Sequence, residues 1–405
     1  MGALSHIRVL DLSRVLAAPW ATQVLGDLGA EVIKIEKPGE GDETRHFGPP
    51  FLKNEDGTRG DATYFLTANR NKKSVTVDMS KAEGQALIKR LARRAHVVVE
   101  NFKTGSLAKY GLDYESLKQE NPALIYCSLT GFGHDGPYKD KAGYDYVIQG
   151  MGGLMSVTGQ KDGEPGAEPM KVGVAVSDLV TGLYTAIAIL AAVIHQARTG
   201  DGQCIDMALF DCQVAGLANQ ATNYLAGGMV PGRLGNAHPN IVPYQVFATA
   251  DGHLILATSN DHQFRRFAAV AGIAEIAADP RYAANAERVA HRQALVDLIK
   301  PIFAQRTTAQ WISDLEAANV PCGPINRIDE VFADPQAIAR GLTIAMNHAA
   351  VGPLNLVTSP LRLSATPPEY RSAPPLLGEH TAEVLSGILG LTVTQIAQLR
   401  GAGVV

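Results

Sequence analysis

The stretch "IRVLDLSRVLAAPWATQVLGDLGAEVIKIE", residues 7–36, holds two short apolar runs, 7–12 and 31–36, on either side of a segment with helical spacing. Such runs are typical of buried parallel strands, because helices cover both faces of a parallel sheet. Three similar runs follow, namely "SVTVD" (74–78), "HVVVE" (96–100) and "LIYCSLTG" (124–131). Their alternation with helical segments such as 81–95 predicts a doubly wound, Rossmann-like α/β domain over residues 1–225.

The pattern changes after residue 225. The stretch "YQVFATADGHLILATS", residues 244–259, places two β runs around Asp251-Gly252, a dipeptide that favours a tight hairpin. Helical patterns follow between residues 285 and 333. These features predict a second, smaller α+β domain over residues 226–330.

Composition and charge exclude several classes of protein. The 405 residues are 46% hydrophobic and 19% charged, which is typical of a soluble globular protein. A net charge of -4 gives no electrostatic reason to expect nucleic acid or a membrane surface as a partner. The four cysteines lack the spacing of a disulfide framework or a metal site, and the N-terminus lacks a secretory signal. We therefore expect a cytoplasmic protein with no metal, in which the apolar stretch 179–194 forms a buried helix.

The first βαβ unit lacks the glycine fingerprint that lets a dinucleotide pyrophosphate approach the backbone. Basic residues nevertheless gather near the strand ends, where α/β proteins bind ligands. Either they bind a polyphosphate, or they are solvated surface cations. These residues are Lys37, Arg70, Lys72, Lys73, Lys103 and Lys109.

The stretch "VGVAVSDLVTGLYTAIAILAAV", residues 172–193, carries one acid, Asp178, near the start of an apolar run. One interpretation is helix capping, in which Ser177 or Asp178 accepts hydrogen bonds from free N–H groups. The other is a carboxylate nucleophile that attacks a carbonyl and carries an acyl group. Spacing alone leaves both open.

Several motifs taken together resemble the class III CoA-transferases, the family of formyl-CoA transferase and the carnitine and bile-acid CoA-transferases. They occur in the family's order over nearly the whole chain. Besides the first stretch they are "NRNKKSVTVDM", "VVVENFKTGSLAKYGL", "NPALIYCSLTGFGHDGPY", "YDYVIQGMGGLMSVTG", "VGVAVSDLVTGLY", "VPCGPI" and "PLLGEHT". The resemblance implies that residues 331–405 return to the large domain and that two chains interlock into a homodimer.

The resemblance also implies which residues act. It places the catalytic aspartate at Asp178, and the chemistry would pass through an aspartyl anhydride and an aspartyl-CoA thioester without a metal or a permanently bound cofactor. Coenzyme A thioesters are then substrates. Carried over motif by motif, the CoA contacts fall on Arg14, Val15, Leu16, Ala17, Lys37, Val77, Asp78, Met79, Ser80, Asn101, Phe102, Lys103, Lys109, Ala142, Gly143, Tyr144 and Asp145.

Two departures from the family pattern narrow the activity. The racemase branch carries a base histidine in "GHD", whereas this chain has Gly143-Tyr144-Asp145, which favours transfer over epimerisation. The segment "GGMVPGRLGNAHPN" resembles the branch acting on succinyl-CoA and short dicarboxylates, with Arg233, Asn236 and His238 as candidate carboxylate binders. An α-methylacyl-CoA epimerase and a non-catalytic acyl-CoA binding protein remain the alternatives.

Overall fold

A computed structural model describes residues 2–405. Its strands are Arg8–Asp11 (β1), Glu31–Glu36 (β2), Phe51–Lys53 (β3), Arg59–Ala62 (β4), Lys72–Thr76 (β5), Val97–Glu100 (β6), Ile125–Thr130 (β7), Cys204–Ala208 (β8), Tyr244–Ala248 (β9), His253–Ala257 (β10), Cys322–Pro324 (β11), Thr343–His348 (β12) and Gly352–Val357 (β13).

The α-helices range from single turns to one long apolar helix. They are Ala17–Asp27 (α1), Thr63–Leu66 (α2), Ala82–Ala92 (α3), Tyr114–Glu120 (α4), Asp145–Met151 (α5), Leu154–Val157 (α6), Val176–Thr199 (α7), Leu209–Gly216 (α8), Ala218–Leu225 (α9), Asp261–Val270 (α10), Asn285–Ala290 (α11), Arg292–Phe303 (α12), Thr308–Ala317 (α13), Ile328–Ala333 (α14), Pro335–Ala339 (α15), Thr381–Leu389 (α16) and Val393–Gly401 (α17).

The chain forms two compact units, and the larger comprises residues 2–154, 172–227 and 338–405. Its main sheet has the strand order β5-β2-β1-β6-β7-β8, and every neighbouring pair is parallel. The predicted strands coincide with β1, β2, β5, β6 and β7, so the doubly wound α/β prediction is confirmed. Two antiparallel hairpins, β3-β4 and β12-β13, also belong to this unit.

Helices cover both faces of the parallel sheet with separate apolar cores. On one face, Leu87, Ile88 and Leu91 of α3 pack with residues from α4, α16 and α17. On the other face, α1 and α7 pack against Val9, Val97 and neighbouring strand residues. Burial on both sides explains why these strands read as continuous apolar runs.

The C-terminal segment completes the larger unit through specific backbone contacts. The Arg371 guanidinium donates to the carbonyl oxygens of Gly26, Gly29 and Ala30, at distances of 3.0, 2.8 and 2.7 Å. These contacts supply partners for carbonyls at and just beyond the end of α1. Farther along, the backbone N–H of His380 donates to the carbonyl of Ser74 in β5 at 2.9 Å.

Helix α7 is buried on only one side. Thr181, Thr185 and Ile189 are buried, whereas Ile187 and Ile194 are 60% and 62% exposed. The prediction of a buried helix was therefore only partly right. Apolar residues occupy both sides of α7, so the sequence alone could not show that one side is exposed. By length and composition α7 could cross a membrane, although core helices of soluble proteins have the same properties.

The smaller unit comprises residues 155–171 and 228–337. Strands β9 and β10 pair in antiparallel register, with His253 opposite Ala248, and β11 pairs with β10. This pairing confirms the hairpin predicted around Asp251-Gly252. Residues such as Phe264, Phe303 and Trp311 form its apolar core, and no sequence pattern indicated that 155–171 joins it.

Candidate active site

The strand order places a ligand crevice between β1 and β6. The chain proceeds from β1 to β2 and β5 on one side and resumes at β6 on the other side, so the loops after β1 and β6 diverge at this point. In open α/β sheets, ligands bind at such a switch point beyond the carboxyl ends of the strands. The two loops meet there, because the Arg14 N–H donates to Asn101 Oδ1 at 2.8 Å and Asn101 Nδ2 donates to the Arg14 carbonyl at 2.7 Å.

The loop after β1 has a strained backbone. Val15 has a φ of 68°, a left-handed conformation that is rare for a β-branched residue. Its N–H lies 3.3 Å from both carboxylate oxygens of Asp42, and the Ser13 carbonyl accepts from Lys34 Nζ at 2.9 Å. The surrounding polar groups thus hold the strained loop in place, as is common at functional sites.

Two buried ion pairs lie beneath this loop. Lys34 Nζ is 2.8 Å from Asp42 Oδ2, Lys72 Nζ is 3.1 Å from Asp11 Oδ2, and all four side chains are fully buried. Burial opposes ionisation of Asp42, but the charge and hydrogen bond of Lys34 outweigh it and lower the Asp42 pKa to about 2. Burial lowers the pKa of Lys72 to about 8, against the attraction of Asp11.

These contacts correct both interpretations of several basic residues near the strand ends. Lys72 is neither a solvated cation nor a free ligand group, because it is buried on Asp11. Arg70 is likewise buried and pairs with Asp27 at 2.5 Å. Lys73 is half-buried and pairs with Glu31 and Glu383. Sequence alone could not show that these cations have acidic partners.

Asp178 borders a cavity of about 330 Å³ at the switch point. Three predicted groups, the loop after β1, the loop after β6 and the segment ending at Tyr144, line this cavity together with Asp178. The lining residues are Arg14, Val15, Leu16, Ala17, Glu43, Asn101, Phe102, Lys103, Thr104, Leu129, Thr130, Gly131, Lys139, Asp140, Lys141, Ala142, Gly143, Tyr144, Asp178 and Leu209.

A second cavity, of about 390 Å³, shares three lining residues with the first, namely Arg14, Glu43 and Phe102. It also brings together the predicted residues Lys37 and Val77, Asp78, Met79 and Ser80. Arg14 Nη1 hydrogen-bonds Glu43 Oε1, and the Arg14 guanidinium carbon lies 4.8 Å from the Phe102 ring centre. Arg14 Nε and Glu43 Oε2 are buried without a hydrogen-bond partner within residues 2–405.

Close backbone contact fixes the segment around Tyr144. A Cβ on Gly143 would lie 2.4 Å from the Gly131 Cα, and a Cβ on Gly131 would lie 2.6 Å from the Gly143 Cα. Backbone atoms on both sides leave no flexible group that could yield. Only glycine at both positions allows the segment to pack against the end of β7.

The start of α7 corrects the capping interpretation of Asp178. The N-cap residue is Ala175, no side chain of its own caps the helix, and Asp178 is the third helical residue. Asp145 Oδ1 accepts from the Ser177 N–H at 2.9 Å, and the Asp178 N–H lies 3.4 Å from the same oxygen. A carboxylate from α5 therefore takes the capping role, and the Asp178 side chain is left to border the cavity.

A helix N-terminus favours the ionised form of a carboxylate, but the surroundings of Asp178 act in the opposite direction. Burial, together with the negative charge of Asp145, raises the pKa of Asp178 to about 7. The favourable helix dipole is outweighed because the group is largely removed from water. Tyr64 lies nearby, and burial with the charges of Asp178 and Asp145 raises its pKa.

Residues 4–381 match the model of CoA-transferase family III. The chain belongs to this family. A succinate–glutarate CoA-transferase from Agrobacterium fabrum is 54% identical over 383 residues, which are 95% of this chain and 95% of that protein. A succinyl-CoA:glutarate CoA-transferase from Homo sapiens is 42% identical over 402 residues, 99% of this chain and 90% of that protein. The crystal structure of a CAIB/BAIF family protein from Brucella suis has a TM-score of 0.84 at 51% identity, covering 96% of this chain and 99% of that one.

Some residues carried over from the class III CoA-transferase pattern lie outside both cavities. Lys109 is exposed over the Tyr110 ring, and Asp145 lies behind Asp178 as the cap of α7. In the smaller unit, Arg233 pairs with Asp162, Asn236 is exposed, and the His238 ring contacts Tyr244. Their substrate roles stay predictions.

Several residues that line the first cavity of this class III enzyme were not predicted from the sequence. Glu43, Thr104, Thr130, Leu209 and the run Lys139–Lys141 border the first cavity. Glu43 lies in the "GDETR" stretch, but nothing in its spacing indicates a contact with Arg14. Within residues 2–405 no group of three or more His, Cys, Asp or Glu side chains is arranged to hold a metal ion.

Proposed function

We propose that this class III CoA-transferase moves CoA from succinyl-CoA to a small dicarboxylic acid such as glutarate. The observation that carries the proposal is the position of Asp178 in a cavity lined by three of the family's CoA-binding motifs. The names of the relatives from Agrobacterium fabrum and Homo sapiens support the choice of donor and acceptor.

We propose that CoA occupies both cavities. The thioester end lies in the first cavity beside Asp178, and the nucleotide end lies in the second, next to Lys37 and the stretch 77–80. Lys37 is exposed and, within residues 2–405, forms an ion pair only with nearby Glu40 at 2.6 Å, so its ammonium group is free to exchange partners with a phosphate. Arg14 and Glu43 line both cavities, so they mark the place where the two meet.

The reaction follows from one carboxylate and two acyl exchanges. Asp178 attacks the thioester carbonyl, the C–S bond breaks, and a mixed anhydride and CoA thiolate form. The thiolate then attacks the Asp178 carbonyl, which breaks the anhydride C–O bond and releases the donor acid. The acceptor carboxylate reverses both steps on the aspartyl-CoA thioester. Backbone N–H groups near Asp178 would stabilise each oxyanion, and this sequence requires no permanently bound cofactor.

The smaller unit carries the candidate binders of a substrate carboxylate. We keep Arg233, Asn236 and His238 as the candidates. Arg233 already pairs with Asp162, so a substrate carboxylate would compete with that acid. Arg233→Lys should therefore raise the KM for glutarate more than the KM for a monocarboxylic acid, and equal changes would remove Arg233 from the assignment.

The proposal is tested by incubating the enzyme with succinyl-CoA or acetyl-CoA and a panel of carboxylic acids, followed by mass spectrometry of new CoA thioesters. Formation of glutaryl-CoA from succinyl-CoA is expected. Deuterium exchange at the 2-position of a 2-methylacyl-CoA without an acceptor acid would instead support the epimerase. CoA binding without any turnover would support the non-catalytic alternative.

The pKa of Asp178 predicts a pH dependence. Because the nucleophile must be ionised, kcat/KM should fall as the pH drops through about 7. Asp145→Asn removes one cause of the raised pKa and keeps an oxygen to accept from the α7 N–H groups. The midpoint should then move to lower pH, although burial, the larger cause, still holds it above that of an ordinary aspartate.

Asp140→Asn is the matched control for this pH prediction. Asp140 lines the same cavity, but its charge is not among the causes of the raised Asp178 pKa. The control should leave the midpoint of the kcat/KM profile unchanged. An equal shift in both variants, or none in Asp145→Asn, would contradict the role assigned to Asp145.

We propose that two chains associate as an interlocked homodimer and work in the cytoplasm without a membrane anchor. The exposed apolar side of α7, which includes Leu183, Ile187 and Ile194, favours cover by another protein surface. The close approach of α1 to Gly182 favours a protein-packed helix, since a Cβ there would lie 2.5 Å from the Ala17 carbonyl oxygen. The protein should be recovered in the soluble fraction after cell lysis. Its mass in analytical ultracentrifugation should be twice the 43.0 kDa of one chain. A monomer, or recovery with membranes, would contradict this.

A further inference from the structure

Glu100 is a buried acid that the proposed mechanism leaves without a role. It is the last residue of β6, at the carboxyl edge of the sheet, and it is 5% exposed. Within residues 2–405 no ion pair joins it to a basic side chain. A buried carboxyl without a countercharge is costly, and an apolar residue would avoid that cost. Other buried acids of the larger unit each pair with a lysine or an arginine, namely Asp11, Asp27, Glu36 and Asp42.

The hydrogen bonds of Glu100 join the loop after β6 to strand β7. Glu100 Oε2 accepts from the Phe102 N–H at 2.8 Å, two residues farther along the chain. Ser128 stands opposite Glu100 in the parallel β6-β7 register, and its hydroxyl hydrogen-bonds the carboxyl. Ser128 Oγ in turn lies 2.8 Å from Nε2 of His134. The carboxyl therefore connects the first turn of the loop to a polar group that is fixed in the next strand.

The neutral form of the Glu100 carboxyl is well populated near pH 7. Burial raises the pKa of Glu100 to about 7, against the hydrogen bonds from Ser128 and from the Phe102 N–H. A neutral carboxyl accepts from the Phe102 N–H with one oxygen and donates to Ser128 with the other, and the Ser128 hydroxyl is then free to donate to His134. A glutamine side chain also offers one acceptor oxygen and a donor, whereas methionine offers no donor and only a weak acceptor.

The loop that Glu100 anchors lines the first cavity with four consecutive residues, 101–104. Asn101 exchanges two hydrogen bonds with the Arg14 backbone, and the Phe102 ring lies beside the Arg14 guanidinium. Phe102 also lines the second cavity. A change in the direction of the chain at Phe102 would therefore move both contacts with Arg14, and with them the walls of the two cavities.

We propose that Glu100 is a positioning residue for the acyl-CoA substrate, because its hydrogen bond to the Phe102 N–H fixes the turn that directs the loop after β6 into the two cavities. Glu100 itself lines neither cavity, so it acts through Phe102 and Asn101. The inference rests on the proposed binding of CoA in both cavities. It assigns the effect to the hydrogen bonds of Glu100 and not to a negative charge.

Calorimetric titration of the full-length enzyme with CoA tests this role and requires no turnover. Glu100→Met keeps the length of the side chain and removes both hydrogen bonds, so the Kd for CoA and the KM for succinyl-CoA should rise about tenfold. The kcat at saturating succinyl-CoA should change less than about twofold, because α7 and Asp145 position Asp178. Glu100→Gln keeps both hydrogen bonds and should restore the wild-type Kd and KM.

Ser128→Ala is a milder variant that removes only the second partner of the Glu100 carboxyl. The carboxyl then loses its link to β7 while the Phe102 N–H keeps its acceptor. The Kd for CoA should rise by about threefold, less than in Glu100→Met. An unchanged Kd in Ser128→Ala would contradict the proposed anchoring of the loop to β7, whether or not Glu100→Met folds.

Tyr126→Phe is the matched control for a loss of stability alone. The Tyr126 hydroxyl donates to the Leu112 carbonyl at 3.1 Å, so this variant also removes a buried hydrogen bond to the segment between β6 and α4. Leu112 lies beyond the residues that line the two cavities. Tyr126→Phe should therefore lower the free energy of unfolding and leave the Kd for CoA unchanged.

The outcomes separate this role from the proposed function. An unchanged Kd in Glu100→Met, or an equal rise in Glu100→Gln or in Tyr126→Phe, would overturn the positioning role even if the wild-type enzyme transfers CoA. Wild-type enzyme that binds CoA and transfers none would overturn the proposed function, and the comparison of Kd values would still decide the role of Glu100. Wild-type enzyme that binds no CoA would overturn both.

Discussion

Asp178→Asn is expected to reduce CoA transfer by at least about 10⁴-fold, because the amide cannot attack a thioester and no other carboxylate occupies its place. The change keeps the size of the side chain and removes a charge that burial already disfavours. The affinity for CoA should therefore change little. The measurement is kcat for thioester formation with succinyl-CoA and glutarate, alongside CoA binding by calorimetry.

Hydroxylamine trapping distinguishes the nucleophile from a merely supporting acid. With wild-type enzyme and succinyl-CoA, hydroxylamine should convert the side chain of Asp178 to a hydroxamate that is located by peptide mass spectrometry. Asp140→Asn provides the matched control, since it lies in the same cavity and should still give the modified Asp178. Full activity of Asp178→Asn, or a hydroxamate at another residue, would end the proposed mechanism.

The second large effect is expected on stability. Lys72→Met should lower the free energy of unfolding by about 3–5 kcal/mol, because it leaves the Asp11 carboxylate buried without its cation. Asp11 also accepts from the Ser13 N–H at 2.9 Å and from Thr22 Oγ1 at 2.6 Å, so the loop carrying Arg14 should loosen too. Denaturant unfolding at pH 7 measures the loss of stability. The KM for acyl-CoA should increase in the same variant, because the loosened loop binds CoA less well.

The neighbouring lysine gives the matched control for this stability prediction. Lys73 lies on the same strand but is half-exposed, and it pairs with Glu31 at 3.0 Å and Glu383 at 2.9 Å. Lys73→Met should cost less than about 1 kcal/mol, because water and salt screen partly exposed pairs. Comparable losses for the two variants would show that the burial of Lys72 does not decide the effect.

Most of the parallel sheet could be predicted because its central strands are buried on both faces and read as apolar runs. The edge strand β8 was not predicted, because it lacks a continuous apolar run. Exposed residues such as Cys204 and Asp206 alternate along it with half-buried ones. The hairpin around Asp251-Gly252 was visible because the turn itself has a local signature. Segment 155–171 has none, and its place in the smaller unit depends on long-range packing.

The motifs led to Asp178 and to nearly half of the residues lining the two cavities, but spacing could not settle what the acid does. The hydrogen bonds from the α7 N–H groups go to Asp145, a residue more than thirty positions earlier. Similarly, only the folded chain shows that Lys72 is buried on Asp11 or that Glu43 meets Arg14. Such pairings depend on which loops the sheet brings together, so no local sequence pattern predicts them.

The return of the C-terminal segment has a consequence for synthesis. Val384, Leu385, Ile396 and Val404 belong to one of the two apolar cores of the sheet, and Arg371 holds the end of α1. A ribosome adds these residues after the whole of the smaller unit, so one face of the sheet stays only partly covered, by α3 and α4, while the smaller unit is already complete. The nascent chain therefore exposes apolar surface, and has the greatest need of chaperones, until Val404 has emerged.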